Sequence, residues 1–282
     1  MKLRPKFRNK KLVVFDLDGT LTKTKSNLEF EMSRALNALL KEKRVAVIGG
    51  GTYVQFEKQF VAELKCPPSL LSRLFIFPTT ATSFYRYHNG WKRIYSFELS
   101  KRERAGIQKA FQETLQEIRY VPPKRIYGKV IEDRRTQVTF SALGQDVVAV
   151  LGKKGVLLKE KWTRENTPLK LKIARMMQKR LPGLEVHAAG FTSIDVTRRG
   201  IDKKYGVRQI AKHLRMSIKD MLFVGDAIFP GGNDYAAVKT GVDYVKVSGP
   251  EETKKVIKFL LSTSFPHKKH SLRFRGRGRT IM

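Results

Sequence analysis

Cysteine is almost absent from this chain: Cys66 is the only one in 282 residues. No disulfide can form within it, and its composition suits a reducing compartment. Nor does any apolar run approach the ~20 residues that a membrane-spanning helix needs. The basic start runs straight into Leu12–Phe15, too short for the apolar segment of a secretion signal and closed at once by Asp16. These absences point to the cytoplasm and to no membrane partner. Acidic residues are the third shortage. Lys and Arg number 57 against 25 Asp and Glu, a formal charge of +32 with an isoelectric point near 10.4. Residues 1–11 hold six of the basic side chains and residues 262–282 another six, with no acid in either segment. Such an excess is typical of nucleic-acid-binding proteins. The closing Arg-Phe-Arg-Gly-Arg-Gly-Arg reads as an Arg/Gly arm able to follow a phosphate backbone. The plainer alternative is a solvated tail. One expectation is therefore weak, nonspecific nucleic-acid binding through the basic termini, and another is attraction of small anionic substrates. No internal repeat is evident.

What is present is a small set of acids in informative positions. Residues 12–22 read Leu-Val-Val-Phe-Asp-Leu-Asp-Gly-Thr-Leu-Thr. The apolar run Leu12–Phe15 has strand length and delivers Asp16 and Asp18, followed by Gly19 and Thr20. In α/β sheets, ligands sit beyond the carboxyl ends of strands. Two acids placed there repel each other unless a cation or a shared proton intervenes. Mg²⁺ suits the place, because it takes carboxylate and phosphate oxygens together. Asp-x-Asp-Gly also occurs in ordinary turns and calcium loops, so the rest of the chain must supply partners. Leu222–Val224 is another strand-like run, ending in Gly225-Asp226 and then Pro230-Gly231-Gly232-Asn233-Asp234. Between the two, Asp202-Lys203-Lys204-Tyr205 opens a helix with a lysine able to neutralise phosphate charge. Val45–Ile48 leads into Gly49-Gly50-Gly51-Thr52, whose amides and hydroxyl could hold phosphoryl oxygens.

These four segments, in this order, resemble the four motifs of the haloacid dehalogenase-like phosphotransferases. Together with Ser193-Ile194-Asp195-Val196 they are similar to subclass IIB, the eukaryotic-type phosphomannomutases, over roughly residues 11–261. The resemblance implies an α/β fold: a Rossmann-like core with a parallel sheet, plus an inserted α/β cap. It implies Asp16 as nucleophile, Asp18 as general acid and base with its main-chain carbonyl on Mg²⁺, and Asp226 as a metal ligand. Asp234 would support the metal ligands from behind, Lys203 would face the phosphate, and Gly50, Gly51 and Thr52 would bind it. Substrate contacts carry over to Lys25, Arg134, Gln145, Ser193 and Asp195. Lys25 stands where the family has a sugar-binding arginine. Gln145 stands where it has a second cap arginine, and Gly152, beside Lys153 and Lys154, falls near the third. A homodimer through the cap is implied as well.

The expected domains are a core from residues 1–98, including a basic arm at 1–10, a cap at 99–189, a second core part at 190–265, and a basic, disordered tail at 266–282. Leu28, Met32, Ala35, Leu36, Leu39 and Leu40 recur at helical spacing, which predicts a helix capped by Asn27. A helix near 53–65 and a strand at Leu74–Phe77 come next. His88-Asn89-Gly90 marks a hairpin. Ser100-x-x-Glu103 is a capping box opening a helix to about Arg119. Gln137–Phe140 alternates like an antiparallel cap strand. Thr167-Pro168 predicts a new helix with proline at its first position, running to about Leu181. Pro250 opens the last helix, near 251–261.

The implied chemistry is in-line attack by Asp16, an aspartyl-phosphate, and transfer to a second nucleophile. Water there makes a phosphatase; a sugar hydroxyl makes a mutase. A mutase must hold a bisphosphate by both ends, and glutamine is no phosphate clamp. The leading expectation is a Mg²⁺-dependent phosphohydrolase of a small phosphorylated metabolite, a sugar phosphate. Phosphomannomutase activity is the alternative. A nucleic-acid-associated phosphatase or binding module is third, disfavoured by a cap that closes over the site.

Overall fold

Strands that are apolar on both faces are built to be covered on both. The computed structural model, which describes residues 3–24 and 26–262, arranges the chain accordingly. Its first part contains β1 (Leu12–Asp16), α1 (Phe30–Glu42), β2 (Arg44–Ile48), β3 (Leu74–Phe77), β4 (Ser83–Tyr87) and β5 (Trp91–Ser96). A second group comprises α2 (Lys101–Glu117), β6 (Ile131–Asp133), β7 (Val138–Ser141), α3 (Lys153–Arg180), β8 (Leu184–His187) and β9 (Ser193–Arg198). The chain then returns through α4 (Lys203–Leu214), β10 (Met221–Gly225), β11 (Asp243–Lys246) and α5 (Pro250–Leu261). Lys25 and the tail at 266–282 lie outside the described residues.

The larger sheet has seven strands in the order β11-β10-β1-β2-β3-β4-β5. β11 through β3 run parallel, and β4 and β5 complete it as an antiparallel hairpin. β1 lies between β10 and β2, strands from opposite ends of the chain, so the strand order reverses there. Such a switch point leaves a crevice at the carboxyl ends of the strands. Alternate residues of β1 serve opposite faces: Val13 and Phe15 join Met32, Leu36, Val256 and Ile257, whereas Leu12 and Val14 join Val207 and Ile210. Each such buried side chain contributes about 1.5–3 kcal/mol, which fixes β1 and hence Asp16 at its end.

The smaller sheet, β6-β7-β9-β8, is antiparallel throughout. Val138, Phe140, Ile194 and Val196 pack with Ile107 and Phe111 of α2 and with Ile173 and Met177 of α3. Strand alternation therefore turns Thr139, Ser141, Ser193 and Asp195 to the other face. This sheet and its two helices are the cap.

Several expectations need correction. β9 belongs to the cap sheet, paired with β7 and β8, so the cap extends to Arg198 rather than ending at 189. α1 starts at Phe30 behind Glu29; Asn27 instead donates from Nδ2 to Glu63 Oε1 at 2.9 Å. Thr167-Pro168 opens no helix, because α3 runs through it. The hydroxyls of Thr163 and Thr167 donate to carbonyls one turn back, at 2.9 and 2.7 Å, a pattern that goes with local bending able to house a proline. Apart from these corrections, the basic segment at residues 3–10 is docked on the core. Pro5–Asn9 forms a 3₁₀ turn with Phe7 buried, and Lys6 and Lys10 both reach Asp243 at 2.6 Å. Arg8 lies 4.1 Å over the Phe259 ring. No helix among the described residues is long and apolar enough to cross a membrane.

Candidate active site

At the carboxyl ends of β1 and β10, Asp16, Asp226 and Asp234 each place an oxygen within 4.8 Å of the others. Strand β1 ends in Asp16 and β10 hands over to Asp226. Asp234 is fully buried, and its Oδ2 accepts from the Ala227 amide at 3.1 Å. Close approach of backbone makes this assembly: a Cβ on Gly225 would stand 2.4 Å from Asp234 Oδ2. Gly19 has φ +83°, and a Cβ there would come within 2.6 Å of Asp226 Oδ2. Thr20 donates to Asp226 Oδ1 at 3.3 Å. The Asp18 side chain is not one of the three.

Lys203 is the first residue of α4, and Asp202 caps that helix by accepting from the Tyr205 amide at 2.8 Å. The cap aims the Lys203 side chain inward. Its Nζ donates to Asp16 Oδ1 and, at 3.2 Å, to the Ile48 carbonyl, and it pairs with Asp234 Oδ1 at 3.2 Å. Burial pushes the Asp16 carboxyl up to about 8, with Lys203 opposing the rise and Asp234 adding to it. Burial also disfavours the Lys203 ammonium, but Asp16 and Asp234 more than offset this and hold it above the ordinary lysine range. Ionising all three carboxylates would set three negative charges against one ammonium, which burial resists. Hard oxygen donors with that charge deficit fit a divalent cation.

The cap meets this site through Arg134. Its side chain is 7% exposed, and Nε donates to Glu132 Oε2 at 2.6 Å. Nη2 donates to Gln145 Oε1 at 3.1 Å and Nη1 to the Gly50 carbonyl at 3.4 Å. Gln145 is thus the buried acceptor for Arg134. On the polar face of the cap sheet, Asp195 Oδ1 accepts from Thr139 Oγ1 at 2.7 Å, with Ser193 half-buried on the same strand.

The sequence profile of the haloacid dehalogenase-like hydrolases matches residues 13–240. The chain belongs to this family. A probable phosphomannomutase of Caenorhabditis elegans is 27% identical over 266 residues, covering 89% of this chain and 95% of its own. Among solved structures, the IMP-bound, N-terminally truncated IMP-nucleotidase of Plasmodium falciparum matches with a TM-score of 0.61 at 14% identity, over 89% of this chain and 68% of its own. A haloacid dehalogenase-like hydrolase from Bacteroides thetaiotaomicron matches at 0.59 and 15% identity, over 89% and 99%. The chain is therefore an enzyme of the haloacid dehalogenase-like family, on a fold shared with its hydrolases and similar in sequence to proteins named as mutases.

Two features went unread in the sequence: the first has no signal there, whereas the second, Thr52-x-x-Gln55, carries the capping-box pattern. The first is the turn after β3. Thr79, Thr80 and Ala81 have φ of 46°, 55° and 61°, a left-handed run unusual for β-branched residues. Their backbone holds the Gly49–Gly51 loop: Thr79 N donates to Gly51 O and Thr80 N to Gly49 O, both at 2.8 Å. Nothing in Pro-Thr-Thr-Ala announces this. The second is Gln55, which forms a capping box with Thr52, its main-chain N–H bonding Thr52 Oγ1 at 3.3 Å and its Oε1 the Thr52 amide at 2.8 Å. Thr52 therefore spends its amide on the cap and keeps only its hydroxyl proton to donate. Of the loop expected to bind phosphate, Gly50 is exposed and Gly51 half-buried.

Proposed function

We propose that this enzyme is a Mg²⁺-dependent phosphohydrolase of a small phosphorylated metabolite, a sugar phosphate by its likeness to phosphomannomutases. The observation that carries the reading is the buried contact of Asp16 with Lys203 beside Asp226 and Asp234. Lys203 favours the ionised form of Asp16, which a nucleophile needs, against the burial that opposes it. Asp16 attacks phosphorus in line, forming an acyl phosphate as the ester P–O bond breaks. Asp18 gives its proton to the leaving oxygen. Asp18 then takes a proton from water, whose oxygen attacks the phosphorus and releases Asp16. Asp16, Asp226 and the main-chain carbonyl of Asp18 would hold Mg²⁺, which supplies charge neutralisation at the phosphoryl oxygens. Gly50, Gly51 and the Thr52 hydroxyl would receive phosphoryl oxygens, and Ser193 and Asp195 sugar hydroxyls.

The second reading is a phosphomannomutase, favoured by relatives matched over nearly their whole length. Hydrolysis ranks first because the residue at the second cap-arginine position, Gln145, accepts from Arg134 and brings no charge of its own. The deciding assay incubates the protein with mannose 1-phosphate and Mg²⁺, with and without glucose 1,6-bisphosphate. Free phosphate is expected to exceed mannose 6-phosphate in both. Mannose 6-phosphate as main product with the bisphosphate present would establish the mutase instead.

A further inference from the structure

One row of the cap sheet's polar face crosses all four strands. Thr139 of β7 stands opposite Glu132 of β6 on one side and Asp195 of β9 on the other, and Asp195 stands opposite His187 of β8. Directly opposed side chains on one face lie about 4.5–5.5 Å apart at Cβ, close enough to bond one another. Glu132 holds Arg134, whose Nη1 reaches the Gly50 carbonyl. The row therefore starts at the place where the cap meets the glycine loop of the core.

Gln137 is two residues before Thr139 and so on the same face. Both are 2% exposed. A buried amide is costly unless it is bonded, and an apolar side chain would fill the same space without that demand. The bonds Gln137 takes part in have a direction. Its Nε2 donates to Thr139 Oγ1 at 3.0 Å, and Thr139 Oγ1 donates to Asp195 Oδ1 at 2.7 Å. A hydroxyl has one proton, and an ionised carboxylate only accepts. Thr139 must therefore direct its proton to Asp195 and take its other bond from a donor, which the Gln137 amide supplies. Turning the amide round would set its carbonyl oxygen against the Thr139 oxygen with no proton between them. The main chain ties Gln137 to the turn that carries Arg134: the Arg134 amide donates to Gln137 O at 2.9 Å.

We infer that Gln137 is a positioning residue for substrate recognition: acting through Thr139, it holds Asp195 in one orientation as the acceptor for a hydroxyl on the body of the substrate. The inference rests on the proposed reading of Asp195 as a sugar contact and adds a chemical requirement to it. The body must present a donor at that point, so a polyol monophosphate fits and an anionic group in the same place is repelled. At 2% exposure Gln137 acts through its neighbour and not by touching the substrate.

The test is steady-state kinetics of the full-length protein in Mg²⁺, with a panel of hexose and pentose monophosphates and with phenyl phosphate, whose body has no hydroxyl. The quantity read is selectivity, kcat/KM for the best sugar phosphate over kcat/KM for phenyl phosphate. Wild type is expected to prefer the sugar phosphate. Gln137→Met, close in shape but without a donor, should lower that selectivity about tenfold, mainly through KM, because the hydrogen bond to Asp195 is no longer held in place. Gln137→Glu should lower it at least as far, since the new carboxylate competes with Asp195 for the Thr139 proton. Thr139→Ser keeps the hydroxyl and should keep the selectivity, whereas Thr139→Val should lose it. Asp195→Ala should lose it too, and adding Gln137→Met to Asp195→Ala should lower it no further. A glutamine that only supported the fold would instead lower turnover of both substrates in every background. Melting temperatures check folding, and the two Thr139 variants, which change volume least, carry the test if Gln137→Met melts far below wild type. Wild type with no preference for any sugar phosphate would overturn the sugar reading and this inference with it. A wild-type preference that survives Gln137→Met and Gln137→Glu, or equal losses on both substrates, would overturn the inference alone.

Discussion

Replacing Lys203 with Met would leave Asp16 and Asp234 without their ammonium. The side chains of Lys203, Asp16 and Asp234 are 3%, 6% and 0% exposed, so water cannot take its place. Breaking one side of a buried ion pair costs about 3–5 kcal/mol. At roughly 2–4 °C per kcal/mol for a chain approaching this size, the metal-free protein should melt about 6–20 °C lower. Asp16 can relieve part of the cost by taking up a proton, because burial already pushes it up to about 8. The loss should therefore be smaller at pH 6 than at pH 9. Millimolar Mg²⁺ should recover more melting temperature in the variant than in wild type, since binding to the folded state alone stabilises it and the carboxylates are then unopposed. Phosphoryl transfer should be lost. The assay is calorimetric or fluorescence melting in chelator and in Mg²⁺ at both pH values. A metal-free shift below about 3 °C at pH 9 would refute the electrostatic coupling argued here.

Asp16→Asn should abolish turnover of every phosphate ester while leaving the metal-free melting temperature equal or higher, because it removes a charge that burial opposes; residual turnover in Mg²⁺ would exclude Asp16 as nucleophile. In wild-type protein freed of metal, Asp16 and Asp226 both have raised carboxyls, by burial foremost. The folded state then binds more protons than the unfolded one, so stability should fall as pH rises from about 4 to about 8; Mg²⁺ should flatten that slope, and a rising slope would contradict the burial argument. Thr80→Gly relieves a left-handed strain of about 1–2 kcal/mol against about 0.5–1 kcal/mol of added unfolded-state freedom, so stability should hold or rise by up to about 1.5 kcal/mol. Thr80→Pro cannot adopt φ 55° and loses the bond to Gly49, and denaturant melts should show it less stable by about 3 kcal/mol or more.

The core strands were readable because burial on both faces leaves an unbroken apolar run, and an acid or glycine closing such a run stands out. Asp16, Gly49 and Asp226 were located that way. Lys203 was readable because Asp202 is a capping residue, and a capped helix start fixes the direction of the side chain next to it. The cap boundary was harder. Ser193–Arg198 alternates polar and apolar residues, which is the mark of an antiparallel strand with one open face, yet it lies only a few residues before Lys203 and reads easily as core. Asn27 and Thr167-Pro168 have the right chemistry for helix starts. Asn27 was overridden by a tertiary partner, Glu63, and Pro168 by the continuity of α3 through it. Thr79–Ala81 was invisible for a different reason. Its residue types argue against the conformation they adopt, and only hydrogen bonds to the glycine loop account for it.

The choice between water and a sugar hydroxyl as second nucleophile comes down to what Arg134 can offer. A bisphosphate intermediate carries a second dianion, which must find cationic donors in the cap after the sugar has turned round. Arg134 already donates in three directions, and Glu132 at 2.6 Å cancels its charge. An incoming phosphate would have to displace Glu132 or sit beside it. A charge-assisted hydrogen bond gains about 1.5–3 kcal/mol, and much of that is offset when an existing one of the same kind is broken. Adding an arginine at 145 would not simply complete a clamp, because it would remove the acceptor that holds Arg134 and set two guanidinium groups side by side. The polar face of the cap is better matched to neutral hydroxyls: Thr139, Ser193 and Asp195 share it, and Asp195 and Thr139 are already oriented by their mutual bond at 2.7 Å. A substrate with one phosphate, held at Asp16, and a hydroxylated body turned toward that face meets both ends of the site without asking the cap for charge. On the proposed reading the cap offers the dephosphorylated body hydroxyl contacts but no phosphate clamp, so the body leaves and water acts as the second nucleophile.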